Sequence, residues 1–155
     1  MQPPVMPREV AIRLGVPVFD WEFPDEISGI CVTDGATVCI GVNEAHPHVR
    51  QRFTIAHELG HLVYTGGRDL FMDFVEAESA ASAKSEREQM LETKANQFAA
   101  DLLMPQVWVR EEVRLHGPNV TLLAKRFEVS EQALWFRLLA LRLVEEANDD
   151  QVAWG

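Results

Sequence analysis

The residues most suited to chemistry in this chain lie in the segment His57-Glu58-Leu59-Gly60-His61. Two histidines four positions apart lie on one face of a helix, one turn apart, so their imidazole nitrogens can bind the same metal ion. Glu58 lies beside that face and can act on a water at the metal without binding the metal itself. By average residue frequencies, this pattern arises by chance on the order of once in a few hundred such chains. The segment therefore predicts a catalytic metal site.

A zinc site that performs hydrolysis needs a third protein ligand and leaves one position for water. The other histidines do not follow the segment at the short spacing of sites with three histidine ligands; they are His46, His48 and His116. Carboxylates are available further along, where Glu88 and Glu92 lie on one face of a second predicted helix. Glu92 borders the apolar stripe of that helix, whereas Glu88 lies a turn nearer the exposed connection, so we predict Glu92 as the third ligand.

Two predicted helices must position these residues. The first extends over 48–64, where Gly60 is the only helix breaker; its apolar stripe is predicted at Phe53, Ala56, Gly60 and Val63. The second begins at a capping box formed by Ser85 and Glu88 and ends before Pro105. Between them, the small and polar residues 76–85 predict a mobile connection.

The region before the first of these helices predicts a small, mainly antiparallel sheet. A short helix over 7–14 precedes it, and residues 16–42 are rich in Val, Ile, Thr and Gly, with a turn at Asp34-Gly35. The last strand ends at Asn43, just before the active-site helix. We therefore hypothesise that this strand pairs with an extended substrate segment through its edge.

The two cysteines, Cys31 and Cys39, lie on either side of the Asp34-Gly35 turn. A two-residue turn places their thiols on opposite faces of the hairpin and prevents a disulfide, whereas a three-residue loop brings them opposite each other. We expect reduced thiols, with the register deciding between the two arrangements.

The last third of the chain is predicted to be helical. After a helix over 106–116, Asn119 can cap a helix that reaches Phe127, and Ser130 can cap another that reaches about Leu143. Together the last two helices form a helix-turn-helix-like pattern. The predicted organisation is α+β, with a metallopeptidase domain over 1–117, the helix-turn-helix-like segment over 118–144 and an acidic tail over 145–155.

Two strings carry a resemblance to a known family. The string RFTIAHELGH at 52–61, followed by ETKANQFAADLLMP at 92–105, resembles the ImmA/IrrE family of metallopeptidases, of which this chain looks like a compact member. The resemblance covers about residues 27–143 and implies a zincin-like helical core packed on the sheet. It also implies site residues: zinc ligands His57, His61 and Glu92, with Glu58 as catalytic base.

The same resemblance implies a function. Members of the family cleave helix-turn-helix repressors of phage, mobile-element or stress-response genes and so relieve repression. We therefore expect a zinc endopeptidase, in which Mn²⁺ could replace Zn²⁺, that cuts such a repressor or an antitoxin-like regulator. The alternative is a regulatory binding module that carries a metal site but acts by binding its partner. Two further residues are candidates for supporting roles, Asn96 beside a ligand and Tyr64 at the transition state.

Charge separates the possible partners. The 155 residues contain 14 Lys and Arg against 24 Asp and Glu, a net charge of −10 that disfavours direct DNA binding. The helix-turn-helix-like segment has a local charge of only +2, so we expect it to be structural or to dock substrate. A basic, DNA-binding repressor fits an acidic surface as a protein substrate. No membrane span or export signal is predicted, and we expect a cytoplasmic protein of unassigned oligomeric state.

Overall fold

The computed structural model describes residues 2–33, 36–65, the backbone of 71–74, and 85–146. The predicted mobile connection, apart from Ser85, and the predicted acidic tail beyond residue 146 lie outside these ranges. Helices and one sheet form the α+β fold that the sequence predicts. The helices are α1 (Pro7–Arg13), α2 (His48–Thr65), α3 (Glu86–Leu103), α4 (Gln106–His116), α5 (Val120–Phe127) and α6 (Glu131–Ala140). The strands are β1 (Val18–Trp21), β2 (Ile27–Thr33), β3 (Val38–Asn43) and β4 (Phe71–Phe74).

The sheet is mixed, with strand order β1-β3-β2-β4. Strand β2 pairs antiparallel with β3 and with β4, as the turn-rich sequence predicts, but β1 runs parallel to β3. Because β3 has a hydrogen-bonded neighbour on each side, it has no edge to offer a substrate. The hypothesis that the strand ending at Asn43 pairs with substrate is therefore wrong.

The register of the β2–β3 pair places the two cysteine side chains on opposite faces of the sheet. Cys31 pairs with Ile40, and Cys39 pairs with Val32. Thr33 and Val38 are the last paired residues, so four residues connect the strands, and the predicted two-residue turn is too short. Two of those four, residues 34 and 35, lie outside the described ranges.

Helix α2 passes through the centre of the fold. It packs against β2 and β3 on one side and against α3 and α1 on others. Every residue from Thr54 to His61 is buried, so this part of the helix is enclosed all round. The predicted apolar stripe extends too far, because Val63 lies beyond the enclosed part and is 57% exposed.

Helices α2 and α3 approach each other most closely at Gly60. A Cβ atom at Gly60 would lie 2.9 Å from the Cα atom of Ala95 and 3.1 Å from its carbonyl oxygen. Real Cβ atoms do not approach backbone this closely, so only glycine permits this spacing. On α3 the matching fully buried residues are Ala95, Ala99 and Leu103. The predicted capping box is confirmed: the Ser85 side chain accepts from the Glu88 N–H, and the Glu88 carboxylate accepts from the Ser85 N–H.

Helices α5 and α6 are capped as predicted, by the side chains of Asn119 and Ser130. After α5, Glu128 has a φ of 52° in the left-handed region that usually favours glycine. Helix α6 ends at Ala140 rather than near Leu143, because Arg142 takes a φ of 58° and turns the chain. The Leu143 N–H then reaches back to the carbonyl of Leu138, which closes the helix.

Buried residues of α2 to α6 form one hydrophobic cluster, so the helix-turn-helix-like segment belongs to the same core as α2. Its large members include Phe127, Leu134 and Leu138, all with no exposed area. The complete buried set is Ala56, Ala99, Leu103, Met104, Val109, Leu123, Ala124, Phe127, Val129, Leu134 and Leu138.

The close helix crossing generates a prediction about Gly60. By helix propensity alone, Gly60→Ala would stabilise α2 by about 1 kcal/mol. We predict the opposite sign, a loss of about 1–3 kcal/mol, because the added methyl group meets the Ala95 backbone, which cannot rotate away. Thermal unfolding and zinc titration check this, since separating α3 from α2 also weakens metal binding. A Gly60→Ala protein with raised stability and unchanged zinc affinity would contradict the account.

Candidate metal centre

The structure brings His57, His61 and Glu92 together at the crossing of α2 and α3. The Nε2 atoms of the two histidines are 3.1 Å apart. Glu92 reaches from α3 with one carboxylate oxygen 3.1 Å from the His57 Nε2 atom and the other 3.0 Å from the His61 Nε2 atom. Two imidazole nitrogens from α2 and the two carboxylate oxygens of one residue from α3 therefore converge within a few ångströms of one another.

The donor set fits a divalent transition metal. Tetrahedral zinc bound at about 2.0–2.1 Å keeps its ligand atoms about 3.3 Å apart, close to the observed separations. His57 and His61 are buried, and the Glu92 side chain is 26% exposed, so the part of the group that solvent reaches most is Glu92. In the described part of the chain, this is the group of His, Cys, Asp and Glu residues that converges closely enough to hold a metal.

Packing fixes the orientation of both imidazole rings. The rings of His57 and His61 meet edge to face, with centroids 4.7 Å apart at 87°. Phe53, one turn earlier on α2, stacks against His57 with centroids 6.4 Å apart. The aromatic contacts therefore keep the two Nε2 atoms directed at Glu92.

Glu58 has no exposed area and lies on the side of α2 that faces β2. Its Oε1 atom is 3.8 Å from the point where a Cβ atom at Gly29 would stand. That same Cβ atom would lie 2.5 Å from the Thr54 methyl carbon and 2.8 Å from the Gly41 carbonyl oxygen. Gly29 therefore leaves the space in which α2 and the Glu58 carboxylate approach the sheet.

The two candidates for supporting roles lie at the surface. Tyr64 is 46% exposed, and the Lys94 ammonium lies over its ring, 5.3 Å from the centroid. This contact joins the end of α2 to α3 just beyond the metal ligands. Asn96 is exposed one turn after Glu92. The roles suggested for these two residues stay predictions.

Sequence reasoning missed Arg52, which is buried one turn before Ala56 on α2. Its guanidinium donates to the carbonyls of Phe127 and Glu128 at the end of α5 and to the carbonyl of Val5. Burial lowers the pKa of Arg52, and the nearby Glu128 carboxylate partly offsets that effect. A charged residue on the buried side of a predicted core helix was the available signal.

A second missed group surrounds Asn43 and His46, before α2. The Asn43 amide nitrogen lies within 3.2 Å of the carbonyls of Phe23 and Pro24 and 2.9 Å from that of Ile27, and so holds the β1–β2 connection against β3. His46 is only 8% exposed, with its Nε2 atom 3.0 Å from the Asp25 carbonyl. The β1–β2 connection covers it, whereas His48 is exposed.

Two of the four cations in the helix-turn-helix-like segment form ion pairs with other helices of the protein. Arg126 forms a two-pronged ion pair with Glu112 of α4, which raises the pKa of the Arg126 guanidinium through the shared hydrogen bonds. Arg137 is buried, and it donates to the Met104 carbonyl and pairs with Asp101 at 2.9 Å. The remaining pair, Lys125 and Arg142, is exposed.

Comparison with known proteins gives a family match over most of the chain. Residues 11–139 match the peptidase M78 family model, described as IrrE N-terminal-like domain. The chain is 40% identical over 101 residues to the radiation response metalloprotease IrrE of Deinococcus radiodurans, covering 63% of this chain and 29% of that protein. It is 35% identical over 92 residues to the protein of the same name from Deinococcus deserti, covering 57% and 31%. The aligned part is thus less than a third of each relative.

The fold has a counterpart among solved structures. A Mycobacterium tuberculosis transcriptional regulator superposes with a TM-score of 0.59 at 19% identity, covering 86% of this chain and 39% of that one. This similarity concerns the fold alone. No described helix is long and apolar enough to cross a membrane.

The geometry predicts that substitutions of two carboxylates on α3 change zinc affinity by different amounts. Glu92→Gln replaces a proposed ligand and should weaken zinc binding by about 100-fold or more. Glu88→Gln is a matched control one turn earlier, because glutamine also completes a capping box and preserves the helix start. Zinc content after dialysis, with affinity from chelator competition, measures both. Equal affinity in the two variants would remove Glu92 from the ligand set.

Proposed function

This chain belongs to the ImmA/IrrE family of metallopeptidases, and from that premise we propose that it is a zinc-dependent endopeptidase with a specific protein substrate. The substrate is a helix-turn-helix repressor or an antitoxin-like regulator, and its cleavage relieves repression. The observation that carries the proposal is the convergence of His57, His61 and Glu92, with the buried Glu58 beside them on α2.

In the proposed site, His57, His61 and Glu92 hold the metal. Zinc bound there supplies a Lewis acid that polarises a peptide carbonyl and lowers the pKa of water. The carboxylate of Glu58 takes the proton from the attacking water and delivers it to the leaving amine. Because Glu58 is enclosed between α2 and β2, it has a fixed position from which to do both.

The choice of substrate rests on the net charge of the chain and on two arginines that are bonded to other helices. A net charge of −10 attracts a basic protein such as a DNA-binding repressor. The helix-turn-helix-like segment uses Arg126 and Arg137 to hold itself to α4 and to the end of α3. Few cations therefore remain for phosphate contacts, and we assign this segment to the protein body rather than to DNA.

The alternative is a binding module with a metal site and little turnover. The name of the Deinococcus relatives, radiation response metalloprotease, favours the peptidase and suggests a stress-response role. Glu58 favours it too, because a structural metal site has no need for a buried carboxylate beside its ligands, where it is costly to maintain.

The proposed mechanism predicts the behaviour of Glu58→Gln. Incubated with zinc or manganese and repressors encoded near this chain, the wild-type protein should produce a defined cleavage. Glu58→Gln should lower kcat by about 10²–10⁴-fold, because it removes general-base catalysis without changing side-chain size. Glu88→Gln should cleave like the wild type.

Gel electrophoresis of the products and pull-down of the repressor on Glu58→Gln distinguish the alternatives. Undiminished cleavage by Glu58→Gln would contradict the mechanism. A stable complex with no cleavage by the wild type would instead support the binding module.

Because the chain has a net charge of −10, we predict weak DNA binding. Against random-sequence duplex DNA near 0.15 M salt, we expect a Kd no tighter than about 10⁻⁴–10⁻⁶ M. Gel shift or fluorescence anisotropy measures it. Nanomolar binding under these conditions would overturn the assignment of the helix-turn-helix-like segment to the protein body.

A further inference from the structure

The face of the sheet that turns away from the helices is apolar. Val18 and Ile40 pack toward α1 and α2 with Ala11, Ile55 and Leu59. Because side chains alternate along a strand, the neighbours of Val18 and Ile40 project from the opposite side, which we call the outer face. Its described apolar side chains are Phe19, Trp21, Ile30, Val32 and Cys39, together with Phe23, which lies over Gly41; the polar Asn43, opposite Trp21, is fully buried.

This composition is unusual for a sheet with helices on one side. Such sheets normally alternate apolar residues toward the core with polar residues toward water. Here Phe19 is 58% exposed and Trp21 is 65% exposed, and among the described side chains of β1, β2 and β3 none on the outer face carries a charge. Two exposed aromatic side chains beside half-buried apolar ones are typical of a binding surface, and aromatic residues dominate the energetics of such surfaces.

The part of the chain that forms the outer face is acidic. Residues 18–44, which include β1, β2 and β3, contain no Lys, Arg or His. Asp20 pairs with Arg8 of α1 on the helix side of the sheet. The acidic residues of this range are Asp20, Glu22, Asp25, Glu26, Asp34 and Glu44. A second copy of the chain would bring like charges together, whereas a cationic partner would be attracted.

We propose that the outer face is a docking surface for the protein substrate, separate from the metal centre. It binds a substrate segment in which apolar side chains are flanked by Lys or Arg. Phe19 and Trp21 supply the apolar contact, and carboxylates such as Glu22 and Glu26 select the cationic flanks. That the partner is a substrate rests on the proposed function. That the outer face binds an apolar segment flanked by cations does not depend on that function.

The outer face implies that the substrate is bound at two places, the outer face and the metal centre. The metal ligands His57 and His61 lie on α2, which packs against the inner side of the sheet, so the docked segment is not the one that is cut. Removing the docking contact therefore weakens substrate binding without touching the groups that move protons.

A labelled peptide of alternating lysine and valine tests the surface chemistry directly. Fluorescence anisotropy with the full-length Glu58→Gln protein should show binding that weakens by about tenfold or more in Phe19→Ser/Trp21→Ser and in Glu22→Lys/Glu26→Lys. Two matched controls should bind like the parent: Val107→Ser/Leu115→Ser removes exposed apolar residues of α4, and Glu145→Lys/Glu146→Lys makes the same charge change elsewhere. Equal loss in the controls, or no loss in the outer-face variants, would overturn the proposal.

A second measurement separates this proposal from the proposed function. With a cleaved repressor, Phe19→Ser/Trp21→Ser should raise KM about tenfold and leave kcat unchanged, whereas Glu58→Gln lowers kcat. If Phe19→Ser/Trp21→Ser cleaves the repressor with an unchanged KM, the proposed function stands and the docking surface is wrong. If the wild type cleaves no repressor, the function fails and the peptide measurement still decides the surface. A wild-type dimer in sedimentation that becomes monomeric in Phe19→Ser/Trp21→Ser would assign the outer face to a second copy and overturn the proposal.

Discussion

The close approach of α2 and α3 at Gly60 and Ala95 is the contact on which the site depends. One helix carries His57 and His61, and the other carries Glu92 one turn before Ala95. With a Cβ atom at Gly60 the helices must move apart, and a carboxylate that now lies 3.0 Å from the His61 imidazole would move with α3. Glycine at position 60 is therefore required for the spacing of the two helices that carry the proposed metal ligands.

The rest of the fold keeps α2 in place. The sheet approaches one side of the helix where Gly29 leaves space for Thr54 and Glu58, and α5 is joined to the other side through Arg52. Arg52 accomplishes this by donating to the carbonyls at the end of α5, where a helix has unpaired acceptors and a partial negative charge. The helix-turn-helix-like segment is thereby joined to the helix that carries His57 and His61.

The parts of the structure that depend on local sequence were predictable. Capping residues such as Ser85 and Asn119 fixed the helix starts, and the spacing of His57 and His61 indicated a metal site before any fold was known. Contacts between distant segments were not predictable. The parallel pairing of β1 with β3 depends on tertiary packing, which overrides local patterns. The same is true of the hydrogen bonds that join Arg126 and Arg137 to other helices.

We expect the α2–α3 crossing to hold two imidazoles and one carboxylate at a single metal ion. Anomalous diffraction at the zinc absorption edge, from crystals of the zinc-loaded full chain, should then show one strong peak about 2.0–2.2 Å from the Nε2 atoms of His57 and His61 and from a carboxylate oxygen of Glu92. A peak that lacks Glu92 among its neighbours, or that lies away from both histidines, would rule this arrangement out.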